Sequence, residues 1–190
     1  MNKSGEENRS VRNTKKRLRE GLLSLMKEKP VNEITVKELT ELADVNRGTF
    51  YFHYEDIYAL LHDMEDEFFA EFSLAMDSIP SAETARAYLL SVFTIVGEHS
   101  ELCRILLGQN GDMQFIAKIY QFIDEKCSSI WSENLNLRKG RPLELYNSFI
   151  INGCIGMVKH WLESGMQETP DEVTDLAVAS IIASARAYIL

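Results

Sequence analysis

The chain has 190 residues, 45% of them hydrophobic and 26% charged, which is enough for one compact domain with a sizeable core and a smaller one beside it. No run approaches the ~18 consecutive apolar residues of a membrane span, and the N-terminal MNKSGEENRS has no apolar stretch of the signal-peptide kind. A cytoplasmic protein without a membrane partner is therefore expected, and its formal net charge of −9 argues at first against a polyanionic ligand.

That charge is unevenly placed. Residues 1–54 carry eleven Lys/Arg against eight Asp/Glu, a net +3, whereas residues 55–190 carry nine against twenty-one, a net −12. A basic head on an acidic body would admit a polyanion at the head alone. Residues 1 to about 9 are read as disordered and the first helix as running from about 11 to 28, with Leu18, Leu22, Leu25 and Met26 on one face and Pro30 beyond its end. The basic residues of this stretch, Arg9 to Arg19, are read mainly as a solvated face, with Arg12 within reach of a phosphate or a minor groove.

Residues 35–54, TVKELTELADVNRGTFYFHY, carry two helix starts with a tight turn between them. Thr35 and Glu38 have the spacing of a capping box, and Ile34 and Leu39 that of a hydrophobic staple. The pattern repeats with Asn46 as N-cap and Val45 and Phe50 as the staple pair, while Asp44 occupies the turn, where it tolerates left-handed backbone. This is a helix-turn-helix. With Val45, Phe50 and Tyr54 turned inward, the second helix exposes Arg47, Gly48, Thr49, Tyr51, Phe52 and His53. Arg reads guanine edges or phosphates, Thr touches a thymine methyl, Tyr and His hold phosphate oxygens, and Gly48 leaves nothing to keep the helix off a groove wall.

Thr35, Lys37, Leu39, Ala43, Val45, Arg47, Gly48, Thr49, Phe50, Tyr51, His53, Tyr54, Leu60 and Leu61 together resemble the N-terminal domain of the TetR/AcrR family of bacterial one-component regulators, over about residues 12–62. The resemblance implies an all-α protein of about nine helices. A three-helix DNA-binding head (residues 1–54) would be followed by a helical effector-binding and dimerisation domain (55–190). The matching positions imply that Lys37, Arg47, Gly48, Thr49, Tyr51 and His53 contact the operator; with Thr35 and the exposed Phe52 they make the expected DNA-contact set, for a double-stranded palindromic operator read by a homodimeric repressor. Three positions depart from the pattern: Asp44 stands for the turn Gly, Thr40 for a small apolar residue, and Ile57 for a phosphate-binding Lys. Glu55 and Asp56 suit the positive end of the next helix but repel phosphate.

Helix four is expected from about Asp56 to 77, with Ile57, Leu60, Leu61, Met64, Phe68 and Phe72 in one stripe, and is the natural lever between head and body. Further helices are expected at about 82–97, 99–107, 112–137, 142–165 and 171–188. The segment 143–161 is apolar around much of its circumference, which implies burial on more than one side. With the small residues of the last helix it is read as a dimer interface of Phe149, Ile150, Gly153, Gly156, Met157, Trp161, Leu176 and Ser180. Tyr88, Phe93, His99, Phe115, Tyr120, Phe122 and Trp131 are the candidates to line a pocket for a partly apolar small-molecule effector.

No cofactor or metal is expected. Cys103, Cys127 and Cys154 lie far apart without ligand spacing and are read as small core hydrophobes. His53, His62, His99 and His160 form no nucleophile–base pair, so the chain is not expected to be an enzyme. The alternative function is a helical interaction module with a weakened or vestigial DNA-binding head. Ile57 favours it, and the intact Lys37 and Arg47–His53 set argues against it.

Overall fold

The computed structural model describes the backbone of residues 3–79, 85–134 and 140–189, and their side chains except those of residues 3–8, 127–134, 142 and 186–189. Among the described residues all regular structure is helical. The elements are α1 (Lys3–Met26), a 3-10 turn (Val31–Glu33), α2 (Val36–Leu42), α3 (Arg47–His53), α4 (Ile57–Asp77), α5 (Ala85–Glu98), α6 (Ser100–Leu106), α7 (Met113–Asn134), α8 (Arg141–Glu163) and α9 (Pro170–Ile189). The expected all-α architecture is the observed one.

One boundary differs by more than a turn. Helix α1 begins at Lys3, not near residue 11, so the tail read as disordered is helical from there on. Lys, Glu and Arg, which recur in this stretch, are good helix formers. No helix is long and apolar enough to cross a membrane among the described residues.

The chain forms two compact units, Met1–Phe68 with Ile105–Gly111, and Phe69–Arg104 with Asp112–Leu190. The division falls inside α4, later than the 54/55 boundary expected from sequence, because Leu60, Leu61 and Met64 are buried in the first unit. Ile105–Gly111 joins that unit too, where the Asn110 side-chain amide donates to the Met26 carbonyl at 3.0 Å and caps the end of α1.

In the first unit, Leu18, Leu22 and Met26 of α1, Leu39 of α2, Phe50 of α3 and Leu60 and Leu61 of α4 are all at most 1% exposed. Burying a side chain such as Phe50 contributes about 1.5–3 kcal/mol, so this set holds the three short helices in one arrangement. Gly21 allows α1 and α2 to touch, since a Cβ there would lie 3.0 Å from Leu39 Cδ1.

In the second unit, α5 packs on α9, and Arg86 bridges to Asp171 and Asp175 at 2.8 Å each. Leu143, Tyr146, Ile150, Ile181 and Ala185 make one core cluster, in which the Tyr146 hydroxyl donates to the Ile181 carbonyl at 3.2 Å. Trp161 is 4% exposed, meets Phe93 edge-on at 5.8 Å, and donates its indole N–H to the Glu168 carbonyl at 2.9 Å. The link from α8 to α9 turns through Gly165 and Met166, both at positive φ, and Arg104 donates to the Leu162 carbonyl at the end of α8. A second capping box, Thr169 with Glu172, then starts α9 with Pro170 in its first turn.

Candidate nucleic-acid interface

Both expected caps form. The Thr35 hydroxyl accepts from the Glu38 N–H at 3.2 Å while Glu38 Oε2 accepts from the Thr35 N–H at 3.0 Å, and Lys29 donates to the other carboxylate oxygen at 2.7 Å. Those contacts, the Lys29 one foremost, push the Glu38 carboxyl down to about 2. Asn46 Oδ1 accepts from the Gly48 N–H at 2.7 Å and starts α3. Between the helices Asp44 adopts φ +49°, as the turn requires, and Arg17 donates to its carbonyl and carboxylate at 2.6 and 2.7 Å. Thr40, a departure from the family pattern, is buried with its hydroxyl donating to the Val36 carbonyl at 2.8 Å, so the polar substitution leaves no orphaned group.

Helix α3 turns Phe50 fully inward and exposes Tyr51 at 58% and Phe52 at 80%. Arg47, Gly48 and Lys37 are exposed as well, with Thr49 and His53 half-buried. A Cβ at Gly48 would come within 3.2 Å of Asn46 Oδ1, so the glycine serves the cap as well as the open surface. Arg47 reaches towards Glu41 at 4.0 Å, both side chains more than half exposed, a contact that α2 supplies and that sequence reasoning missed. Thr35 is exposed, with its N–H and its hydroxyl both donating to Glu38 Oε2, at 3.0 and 2.9 Å.

Where the family pattern has a phosphate-binding lysine, Ile57 is 5% exposed and belongs to the core, and Asp56 caps α4 by accepting from the Ala59 N–H at 2.8 Å. Tyr54, inward as expected, ends α3 by donating its backbone N–H to the Phe50 carbonyl. Farther along the first helix, Arg9, Ser10, Arg12, Asn13 and Lys16 line an open polar depression of about 630 Å³. It lies on one helix, and its charge and openness are unlike an effector pocket.

The residues expected to line the effector pocket are mostly engaged in packing or hydrogen bonds. Phe93 and Phe115 are buried, and Phe122 meets Phe69 at 5.5 Å and Phe72 at 5.8 Å. His99 pairs with Glu71 at 2.7 Å, the Tyr120 hydroxyl donates to Ser148 Oγ at 3.3 Å, and the Tyr88 hydroxyl lies 3.5 Å from the Ile79 carbonyl. The side chain of Trp131 lies outside the described residues, as does that of Cys127. Burial pushes the Cys103 thiol up to about 12 and the Cys154 thiol up to about 11, which fits their reading as unreactive apolar groups.

The expected dimer face divides in two. Phe149 is 64% and Leu176 61% exposed, Ser180 is exposed, Met157 is half-buried, and a Cβ on Gly153 or Gly156 would meet nothing within 4 Å. Ile150 and Trp161, in contrast, are buried within their own chain and offer no surface. Leu145 at 61% and Ile182 at 46% extend the outward set. An apolar stripe at positions 145, 149, 153 and 156 therefore runs along one side of α8.

A capped two-turn helix whose buried side is one phenylalanine and whose outer side is Arg, Gly and aromatic residues defines a helix-turn-helix reader carried on a helical body. Known proteins share this plan. A family model described as a transcriptional regulator C-terminal region matches residues 83–182. This chain belongs to the TetR/AcrR family of transcriptional regulators, whose members are not enzymes. An uncharacterized HTH-type transcriptional regulator, YxbF of Bacillus subtilis, is 23% identical over 179 residues, 90% of this chain but 45% of the relative, so the chain spans less than half that protein's length. Among solved structures, a TetR transcriptional regulator from Streptococcus agalactiae superposes with a TM-score of 0.66 at 20% identity, covering 94% of this chain and 98% of the other. NalD of Pseudomonas aeruginosa, the secondary repressor of the MexAB-OprM multidrug efflux pump, does so with 0.68 at 16% identity, covering 92% and 96%.

Proposed function

We propose that the chain is a cytoplasmic, homodimeric transcriptional repressor that inserts α3 into the major groove of a palindromic operator and releases it when a partly apolar small molecule binds the second unit. The exposed face of α3 carries this reading. Arg47 supplies a guanidinium for a guanine edge or phosphate, Thr49, Tyr51 and Phe52 supply apolar and hydroxyl contacts, His53 and Lys37 supply phosphate contacts, and Gly48 lets the backbone approach. The outward stripe of Leu145, Phe149, Gly153 and Gly156 with Leu176 supports the dimer, because two half-sites require two reading helices. Helix α4 contributes residues to both compact units, so a ligand that prefers one placement of its second half shifts DNA affinity by its differential affinity for that state.

The experiment is selection of duplexes from a randomised pool by the full chain, followed by mobility shift of the enriched sequence. Enrichment of an inverted repeat bound by a dimer is the expected result. A chain that enriches nothing is a helical interaction module and not an operator reader.

A further inference from the structure

The first unit contains a charged cluster, centred on Asp63, that the contact set of α3 does not use. One oxygen of Asp63, on α4, collects three donors: the Tyr54 hydroxyl at 2.7 Å, Arg19 Nη2 at 3.1 Å and Lys15 Nζ at 3.4 Å. Tyr54 is the residue that closes α3, and Lys15 and Arg19 lie one turn apart on α1. A single atom on α4 thus joins the end of the reading helix to α1. Lys15 Nζ also lies 5.3 Å from the centre of the Tyr54 ring, and Arg19 continues to Glu67 at 2.5 Å.

Stability alone is a weak reason for such a cluster, since a partly buried ion pair returns little more than its desolvation costs and apolar packing can replace it. Geometry is a better one. Helix α3 has seven residues, held at its start by Asn46 and in its middle by Phe50, which makes a pivot. Tyr54 remains to fix the pitch of its C-terminal end. Its side chain is 6% exposed and packs 6.0 Å from Phe50, a contact that tolerates sliding, whereas a hydroxyl on a charged acceptor does not. Burial would raise the Asp63 carboxyl, but the hydrogen bonds from Tyr54 and Arg19 outweigh it and hold the group below its ordinary value, so the acceptor is ionised.

We infer that Asp63 is a positioning residue for operator discrimination: acting through Tyr54, it sets the angle at which α3 presents Arg47 to His53, and it keeps Lys15 and Arg19 on the scaffold. This rests on the DNA-reading function proposed above. Base contacts need that angle, because hydrogen bonds weaken steeply off-axis, whereas phosphate attraction does not.

The test compares wild type, Asp63→Asn and Tyr54→Phe on two duplexes, one selected by the wild type from a randomised pool and a shuffled one of the same length. Binding is measured at a temperature where circular dichroism shows each protein fully folded. Both variants are expected to lose at least about fivefold in the ratio of selected to shuffled affinity, with the shuffled affinity unchanged or raised. The double variant should be no worse than Asp63→Asn, since the two groups act through one bond. An unchanged ratio, or a parallel fall on both duplexes, overturns the inference by showing that the cluster only supports the fold. If Asp63→Asn does not fold, Tyr54→Phe, which deletes one oxygen, decides between these outcomes. A wild type that enriches no sequence fails the DNA-reading function itself and takes the inference with it.

Discussion

Replacing Arg47 by alanine separates what this side chain does in the free protein from what it does on DNA. In the free chain it faces Glu41 at 4.0 Å, and the two side chains are 55% and 64% exposed. A pair so loose and solvated contributes about 0–1 kcal/mol, so the melting temperature of Arg47→Ala should stay within a few degrees of wild type, given that 1 kcal/mol shifts it by about 2–8 °C. On the operator a bidentate guanine contact is worth about 1–3 kcal/mol per reading helix. With two symmetric half-sites acting independently, the dimer loses about 2–6 kcal/mol, or roughly thirtyfold or more in affinity. The assay is fluorescence anisotropy of a labelled selected duplex at fixed salt, with single base substitutions across one half-site. Wild type should be penalised at one base pair to which Arg47→Ala is indifferent. A variant that keeps wild-type affinity and the same substitution profile removes Arg47 from the base contacts.

Lys37→Ala should weaken all sequences alike and lower the slope of log affinity against log salt by about 0.9 for each phosphate that the lysine neutralises in wild type; an unchanged slope in a salt titration removes Lys37 from the phosphate set. Glu38, held down to about 2 mainly by Lys29, contributes stability that is fully present above its ordinary value of 4.5 and is lost as pH falls towards about 2. Glu38→Gln should therefore flatten the decline in melting temperature over that acid window, and an equally steep decline would deny the ionised Glu38 its part. Gly156→Leu should leave the protomer folded, since a Cβ there meets nothing within 4 Å, but should convert the dimer to monomer in sedimentation velocity. A Leu variant that dimerises as wild type would place the interface elsewhere.

What was legible in the sequence was what is local along the chain. Thr35 with Glu38, Ile34 with Leu39, and Asn46 with Phe50 are pairs three to five residues apart whose geometry any helix start imposes, so the two caps, the inward Phe50 and the outward Arg47, Tyr51 and Phe52 could be read before the fold was seen. Asp44 was legible too, since few residue types accept the left-handed turn at φ +49°. The phase of α8 was not. A helix apolar around most of its circumference does not say which side meets its own chain, and packing alone placed Ile150 and Trp161 inside and Leu145 and Phe149 outside. The Asp63 cluster was equally hidden, because its partners lie 9, 44 and 48 residues away and carry no periodic signal. The place where the two compact units divide was not legible either. Burial of Leu60, Leu61 and Met64 carried the first unit along α4, and the return of Ile105–Gly111 to cap α1 depends on contacts that no short window of sequence contains. Caps and turns are decided by neighbours along the chain, whereas interior faces and shared charges are decided by which segments the folded chain brings together.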